Sequence, residues 1–271
     1  MLTFREDAVY SLIAPTSMGI RITPAGRQPV HMARDFRMQT TSAESNVLSI
    51  AASLGMKAKV LTAFVEGSPI ARLIQDDLSS RRIDFEGPSI AQGGPWGYRH
   101  QFNIADAGFG TRGPRVHNDR AGEVGRMLSA KDFDIERIFK HEGAKLLHLS
   151  GLIVAISEET AAFCLALAVA AKESGTRISF DLNYRASFWV DREARLREVF
   201  AQIAALSDIL IGNEEDYQLA LGISGPEAGG KGIEDEAATF RAMIEAVRVA
   251  YPNASAFATT LREVQSANRH L

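Results

Sequence analysis

Residues 178–189 read ISFDLNYRASFW. An apolar strand-like run ends in Asp181, Asn183, Tyr184 and Arg185, then returns to Phe188 and Trp189. Burying such polar groups without partners is costly, so they must either cap a turn or face a ligand. A second polar cluster, Gly212, Asn213, Glu214, Glu215 and Asp216, closes the apolar run 208–211. The guanidinium of Arg185 offers a planar fork for a carboxylate or phosphate. An amide–carboxylate set such as Asn213, Glu214 and Asp216 suits Mg²⁺, usually through water. An anion clamp beside Mg²⁺ is the equipment of phosphoryl transfer. Spacing alone leaves a second reading open, in which Asn213 to Asp216 only cap and charge the next helix.

These clusters need elements that bring them together. The second half of the chain alternates strand and helix. Residues 144–151 form a short apolar run ending in Ser-Gly, as a buried parallel strand does. Residues 157–175 read as a helix with Ser157 as N-cap, Glu158 and Glu159 in the first turn and Gly175 as stop. Strand 177–181, helix 191–206, strand 208–212, a helix from 213, a helix over about 235–250 and strand 254–261 follow. This repetition predicts an α/β protein with a doubly wound, mostly parallel sheet. In such sheets ligands bind beyond the carboxyl ends of the strands.

The first half is mixed. Strands are expected at 8–14, 19–23 and 57–65, and helices at 42–55 (Ser42 cap, Gly55 stop) and 68–83 (Pro69 at its first position). Gly-rich residues 91–120 break the alternation and read as a hairpin excursion off the sheet, a lid.

Composition narrows the classes. Of 271 residues, 46% are hydrophobic and 23% charged, enough for one large α/β domain. Thirty basic against 33 acidic residues give a net charge of −3, with no bias toward nucleic acid or an anionic membrane. The single cysteine, Cys164, lies in an apolar helix run and is expected to pack in the core. No basic-then-apolar leader opens the chain, and the longest apolar run is too short to span a bilayer. A cytoplasmic protein is the expectation. Two motif matches fail on context. Residues 108–113, GFGTRG, fit a dinucleotide fingerprint by letter, but Pro114 and an extended run follow them, not a helix. Residues 225–232, GPEAGGKG, approach a P-loop, yet Gly232 replaces the Mg²⁺-holding hydroxyl. The six histidines show no ligand spacing, and His148 reads as a core residue.

With these segments in view, the chain resembles the ribokinase-like (PfkB) carbohydrate kinases, and among them the 2-keto-3-deoxygluconate kinases. The matching segments are AESNVLSIAASLG (43–55), VEGSPIARLIQDDLSSRRIDF (65–85), RVHNDRAG (115–122), HLSGL (148–152), DLNYRASFW (181–189) and LIGNEEDYQLALG (210–222). The resemblance implies a three-layer α/β/α domain over 1–271, with lid strands from about 12–36 and 91–120. It implies transfer of the ATP γ-phosphoryl, with Mg²⁺, to a sugar or sugar-acid hydroxyl. Asn46 would face the sugar, as would Tyr98 and Arg120 from the lid and Asn183 from the crevice. Arg185 would contact the acidic end of the substrate or the transferring phosphate. Asn213 and Asp216 would stand at the two ends of the family's Asn-x-x-Glu motif, with Glu214 beside them, ordering Mg²⁺ waters. A neutral ketose such as fructose, or a sugar-binding role without catalysis, stays open, as does a homodimer through the lid.

Three departures from the family pattern stand out. Thr41 and Ser42 occupy the place of paired glycines, so their side chains should reshape the pocket. Asp216 stands where Glu is usual. No Gly-x-Gly-Asp, the segment that carries the family's catalytic base, occurs in the 271 residues. The resemblance therefore implies an incomplete domain with negligible turnover by itself.

Overall fold

The computed structural model describes residues 2–226, 233–259, 264–266 and 269–270. Seven parallel strands form the central sheet: β1 (Tyr10–Pro15), β4 (Ala58–Leu61), β6 (Ile83–Glu86), β10 (Ala144–Ser150), β11 (Arg177–Asp181), β12 (Ile209–Ile211) and β13 (Ala256–Ala258). Their order is β13-β12-β11-β10-β1-β4-β6. The chain builds outward from β1 through β4 and β6, then returns to β10 and builds the other way. The strand order thus reverses between β1 and β10, and a crevice opens beyond the carboxyl ends there.

Strands buried on both faces explain the short apolar runs. Leu12 and Ala14 of β1 join a core with α1 (Ala43–Ser53) and α2 (Pro69–Ser80). Ile13 joins the larger core with α4 (Glu158–Glu173) and α6 (Glu193–Leu206) on the other side. This is the expected three-layer α/β/α arrangement. Caps fall where the sequence puts them: the Ser42 side chain accepts from Ser45 N–H, and Ser157 accepts from Thr160 N–H. Cys164 and His148 are core residues, and burial lowers the imidazole pKa of His148 to about 4.

A second sheet, in the order β3-β2-β8-β9, stands off the first. It consists of β2 (Gly19–Pro24), β3 (Phe36–Thr41), β8 (Gln101–Asp106) and β9 (Arg115–Asp119). The lid therefore begins at Gly19 and extends to Thr41. Residues 12–15, assigned to it from sequence, belong to the central strand β1, because they are buried on both faces. Residues 91–100 are a loop leading into β8. His100 secures that entry: its ring nitrogens lie 3.1 Å from the Met18 carbonyl and 3.4 Å from the Val65 N–H.

The expected single strand at 57–65 is two, β4 and β5 (Phe64–Val65), and β5 pairs with β7 (Ser89–Ile90). The helix expected to reach residue 83 ends at Ser80; Arg82 takes φ 58° and Ile83 starts β6. The GFGTRG match lies in the turn between β8 and β9, closed by Phe109 and Arg112. Most of the 225–232 match lies outside the described residues.

Gly151 opens the short helix α3 (Gly151–Val154) directly after β10. A Cβ there would fall 1.9 Å from the Leu182 carbonyl and 2.6 Å from the Phe200 ring. Gly151→Ala should therefore destabilise the fold by roughly 1–3 kcal/mol by forcing β10 and β11 apart at the crevice. A urea melt with an unchanged midpoint would contradict this contact.

Candidate active site

A cavity of about 420 Å³ lies where the crevice meets the lid. The main body contributes Ser17 after β1, the Thr41–Glu44 turn with Asn46 of α1, and Leu152 with Ile153 of α3. Asn183, Arg185, Ser187 and Phe188 follow β11, the last two from α5 (Ala186–Trp189). The lid contributes Arg21, Gln101, Asn103 and Asn118, and Arg120 follows β9. The structure thus gathers Thr41, Ser42, Asn46, Arg120, Asn183 and Arg185 in one place.

Tyr98 is not among them. Its hydroxyl meets Met127 Sδ at 3.2 Å, in a different surface depression with Ser157 and Glu159. The reason is the backbone: residue 98 precedes β8, and Gln101 and Asn103 occupy the lid positions that reach the cavity.

Each wall has a physical cause. Along β2, Gly19 and Arg21 alternate with Ile20 and Ile22, and along β8, Gln101 and Asn103 flank Phe102. Ile20, Ile22 and Phe102 pack on the α1–α2 core. The opposite, polar face of the lid therefore points into the cavity. Gly19 lets the Gln101 side chain lie against β2, since a Cβ there would fall 2.2 Å from Gln101 Nε2 and displace it. Asn183 adopts φ 38°, its N–H donates to Asp181 Oδ1 at 3.2 Å, and its Nδ2 donates to Ser150 Oγ at 3.0 Å. Arg185 then leaves the turn exposed and donates to the Tyr184 carbonyl at 2.6 Å. Trp189 anchors the turn in the core against Tyr184 and Phe200, whereas Phe188 lies under the Arg120 guanidinium at 5.3 Å.

Several polar atoms on these walls are buried with no protein partner. They are Glu44 Oε1, Gln101 Oε1, Asn103 Oδ1 and Arg120 Nε. Orphaned buried groups are rare in native folds and mark a place where something else supplies the hydrogen bond. Glu44 is 2% exposed, and its Oε2 accepts from Thr16 Oγ1 at 2.5 Å. Burial raises its pKa, countered by that bond and by Arg120. Arg120 itself is paired with buried Glu123 at 2.6 Å, and Ser17 donates to the same carboxylate oxygen.

Asn213 and Asp216 stand one strand away, since β11 and β12 are neighbours. They form a reciprocal cap on α7 (Glu214–Leu221): Asn213 Oδ1 accepts from Asp216 N–H and Asp216 Oδ2 from Asn213 N–H, at 2.8 and 2.9 Å. Asp216 Oδ1 also accepts the Tyr184 N–H at 2.8 Å, tying the two turns together. Asp181 lies close enough that burial, then the Asp216 charge, raise its pKa to about 6. The described residues hold no group of three carboxylates, histidines or cysteines able to chelate a metal. The oxygen donors of Asn213, Asp216 and Asp181 nonetheless fit Mg²⁺ held mostly through water, which is its habit beside phosphates.

A family model described as pfkB family carbohydrate kinase matches residues 20–250, and the chain belongs to that family. It is similar to the 2-dehydro-3-deoxygalactonokinase of Haloferax volcanii, at 27% identity over 76% of this chain and 61% of that protein. It is also similar to the 2-dehydro-3-deoxygluconokinase of Thermoproteus tenax, at 25% over 82% of this chain and 65% of that one. The chain thus spans less than two thirds of the length of these curated relatives. The crystal structure of a 2-dehydro-3-deoxygluconokinase from Thermotoga maritima superposes with a TM-score of 0.83, 25% identity and coverage of 96% of this chain and 74% of that one. No helix among the described residues is long and apolar enough to cross a membrane.

The raised pKa of Asp181 means that the folded protein holds this proton more tightly than the unfolded chain does. Stability should fall as pH rises from about 4 to about 6, by on the order of 2 kcal/mol. Asp181→Asn should raise the melting temperature at pH 7.5 and lose that advantage near pH 4. Equal effects at both pH values would contradict the burial of an ionising Asp181.

Proposed function

We propose that these residues bind a sugar acid of the 2-keto-3-deoxygluconate type and hold one of its hydroxyls for phosphorylation by ATP with Mg²⁺. The observation that carries this reading is the lid-covered cavity with its orphaned polar atoms. The unpartnered acceptors Glu44 Oε1, Gln101 Oε1 and Asn103 Oδ1 need donors, and Arg120 Nε needs an acceptor. A polyhydroxy ligand supplies both from each hydroxyl. The family, and the names of the relatives, support a kinase and the keto-deoxy sugar acids.

On this reading the lid's polar face and Asn46 orient the sugar and exclude water. Thr41 and Ser42 narrow the turn where the family pattern has glycines, and Ser42 Oγ accepts the Ser45 N–H as the α1 cap. Arg185, in no ion pair among the described residues, is placed to stabilise charge on the transferring phosphoryl. Asn213, Glu214 and Asp216 would hold Mg²⁺ through water; when bound, the ion neutralises phosphate oxygens. The Asp216 carboxylate keeps that turn fixed against Tyr184. No cavity residue is assigned the general base.

Titration calorimetry should show saturable binding of 2-keto-3-deoxygluconate, weaker binding of fructose, and a loss of about tenfold or more in Asn46→Ala. Tighter binding of fructose would move the substrate to a neutral ketose. Failure to bind either sugar would refute the reading.

A further inference from the structure

Three guanidiniums line the cavity: Arg21, Arg120 and Arg185. They are not equivalent. The charge of Arg120 is matched by Glu123 at 2.6 Å, on a carboxylate that is 1% exposed, and its plane lies over the Phe188 ring. What Arg120 has left to offer is an uncommitted Nε–H, suited to a hydroxyl. Arg185 donates to one backbone carbonyl, and the side chain of Arg21, an exposed residue, is in no hydrogen bond or ion pair among the described residues.

The position of Arg21 is set by register. It stands opposite Gln39 of β3 on one side and Asn103 of β8 on the other, and Asn103 stands opposite Asn118 of β9. Residues in one cross-strand row share a face. The lid thus presents an unbroken polar row, Gln39, Arg21, Asn103 and Asn118, with a single charge in it. A cation held on a sheet face that covers a cavity, without a carboxylate partner, has an anion as its natural complement.

We propose that Arg21 is the specificity-determining residue of the lid, reading the carboxylate of an acidic sugar together with Arg185 across the cavity. Arg120 then serves a hydroxyl and not the carboxylate. The inference rests on the sugar-acid reading above and adds to it which side chain selects acid over neutral sugar.

Calorimetry with 2-keto-3-deoxygluconate, fructose and fructose 6-phosphate on the 271-residue chain separates the two. Arg21→Gln should weaken the sugar acid by about tenfold or more and fructose by less than about twofold, with an unchanged thermal midpoint. Arg21→Lys should recover part of the loss, and the affinity left in Arg21→Gln should depend less on salt than that of the wild type. Unchanged acid binding in Arg21→Gln, or equal losses for acid and fructose, would overturn the role of Arg21 while leaving the sugar-acid reading intact. Tighter binding of fructose 6-phosphate than of the acid would overturn the carboxylate assignment. A wild-type chain that binds none of the three would remove the sugar reading and this inference with it.

Discussion

A parallel strand covered by helices on both faces puts most of its polar side chains at its ends. That constraint organises the whole molecule. Ile178 and Phe180 are fully buried in β11, and the polar residues Asp181, Asn183 and Arg185 come only after them. Ser150 closes β10 and Asn213 follows β12 in the same way. Because all pairs in the central sheet are parallel, these ends fall on one edge. Polar groups crowded on one edge must satisfy one another or wait for a ligand, and the lid and α1 that close over this edge add groups of the second kind. Asp216 binds the Tyr184 N–H and its own helix cap, whereas Glu44, Gln101, Asn103 and Arg120 each keep an unmet atom.

The division between satisfied and unsatisfied groups separates scaffold from site. Asn213 and Asp216 read from sequence as either a helix cap or a metal-ordering pair. The structure shows the cap fully formed. The cap holds Asp216 beside Asp181, where its charge adds to burial in raising the Asp181 pKa. Asp181 pays for its position with a raised pKa, a strain of the kind that functional sites store.

Much of this was legible in the chain. The strand–helix alternation after residue 144, the Ser42 and Ser157 caps and the polar end of 178–189 follow from local chemistry and survive in the structure. What failed was non-local. Phe36–Thr41 has a mostly exposed pattern and becomes a strand only by pairing with β2. Ile83 continues a helical spacing from α2, and only the left-handed turn at Arg82 sends it into the sheet. The family resemblance put Tyr98 on the lid, but the lid positions that reach the cavity lie three and five residues later, at Gln101 and Asn103. A signal for them existed. The runs Gly19–Thr23 and Gln101–Ile104 alternate polar and apolar residues, and two such strands in register make one polar face. Glu44 carried no such signal, because an acid in the first turn of a helix is ordinarily explained by the helix dipole.

A sugar acid held between lid and sheet edge must slow the exchange of the amides around it. Amide hydrogen exchange with and without saturating 2-keto-3-deoxygluconate tests it most directly. The account predicts slowed exchange in β2, β8, the Thr41–Asn46 turn and residues 183–188, with α4 and α6 unchanged. Protection confined to other elements, or none at all at saturation, would contradict it.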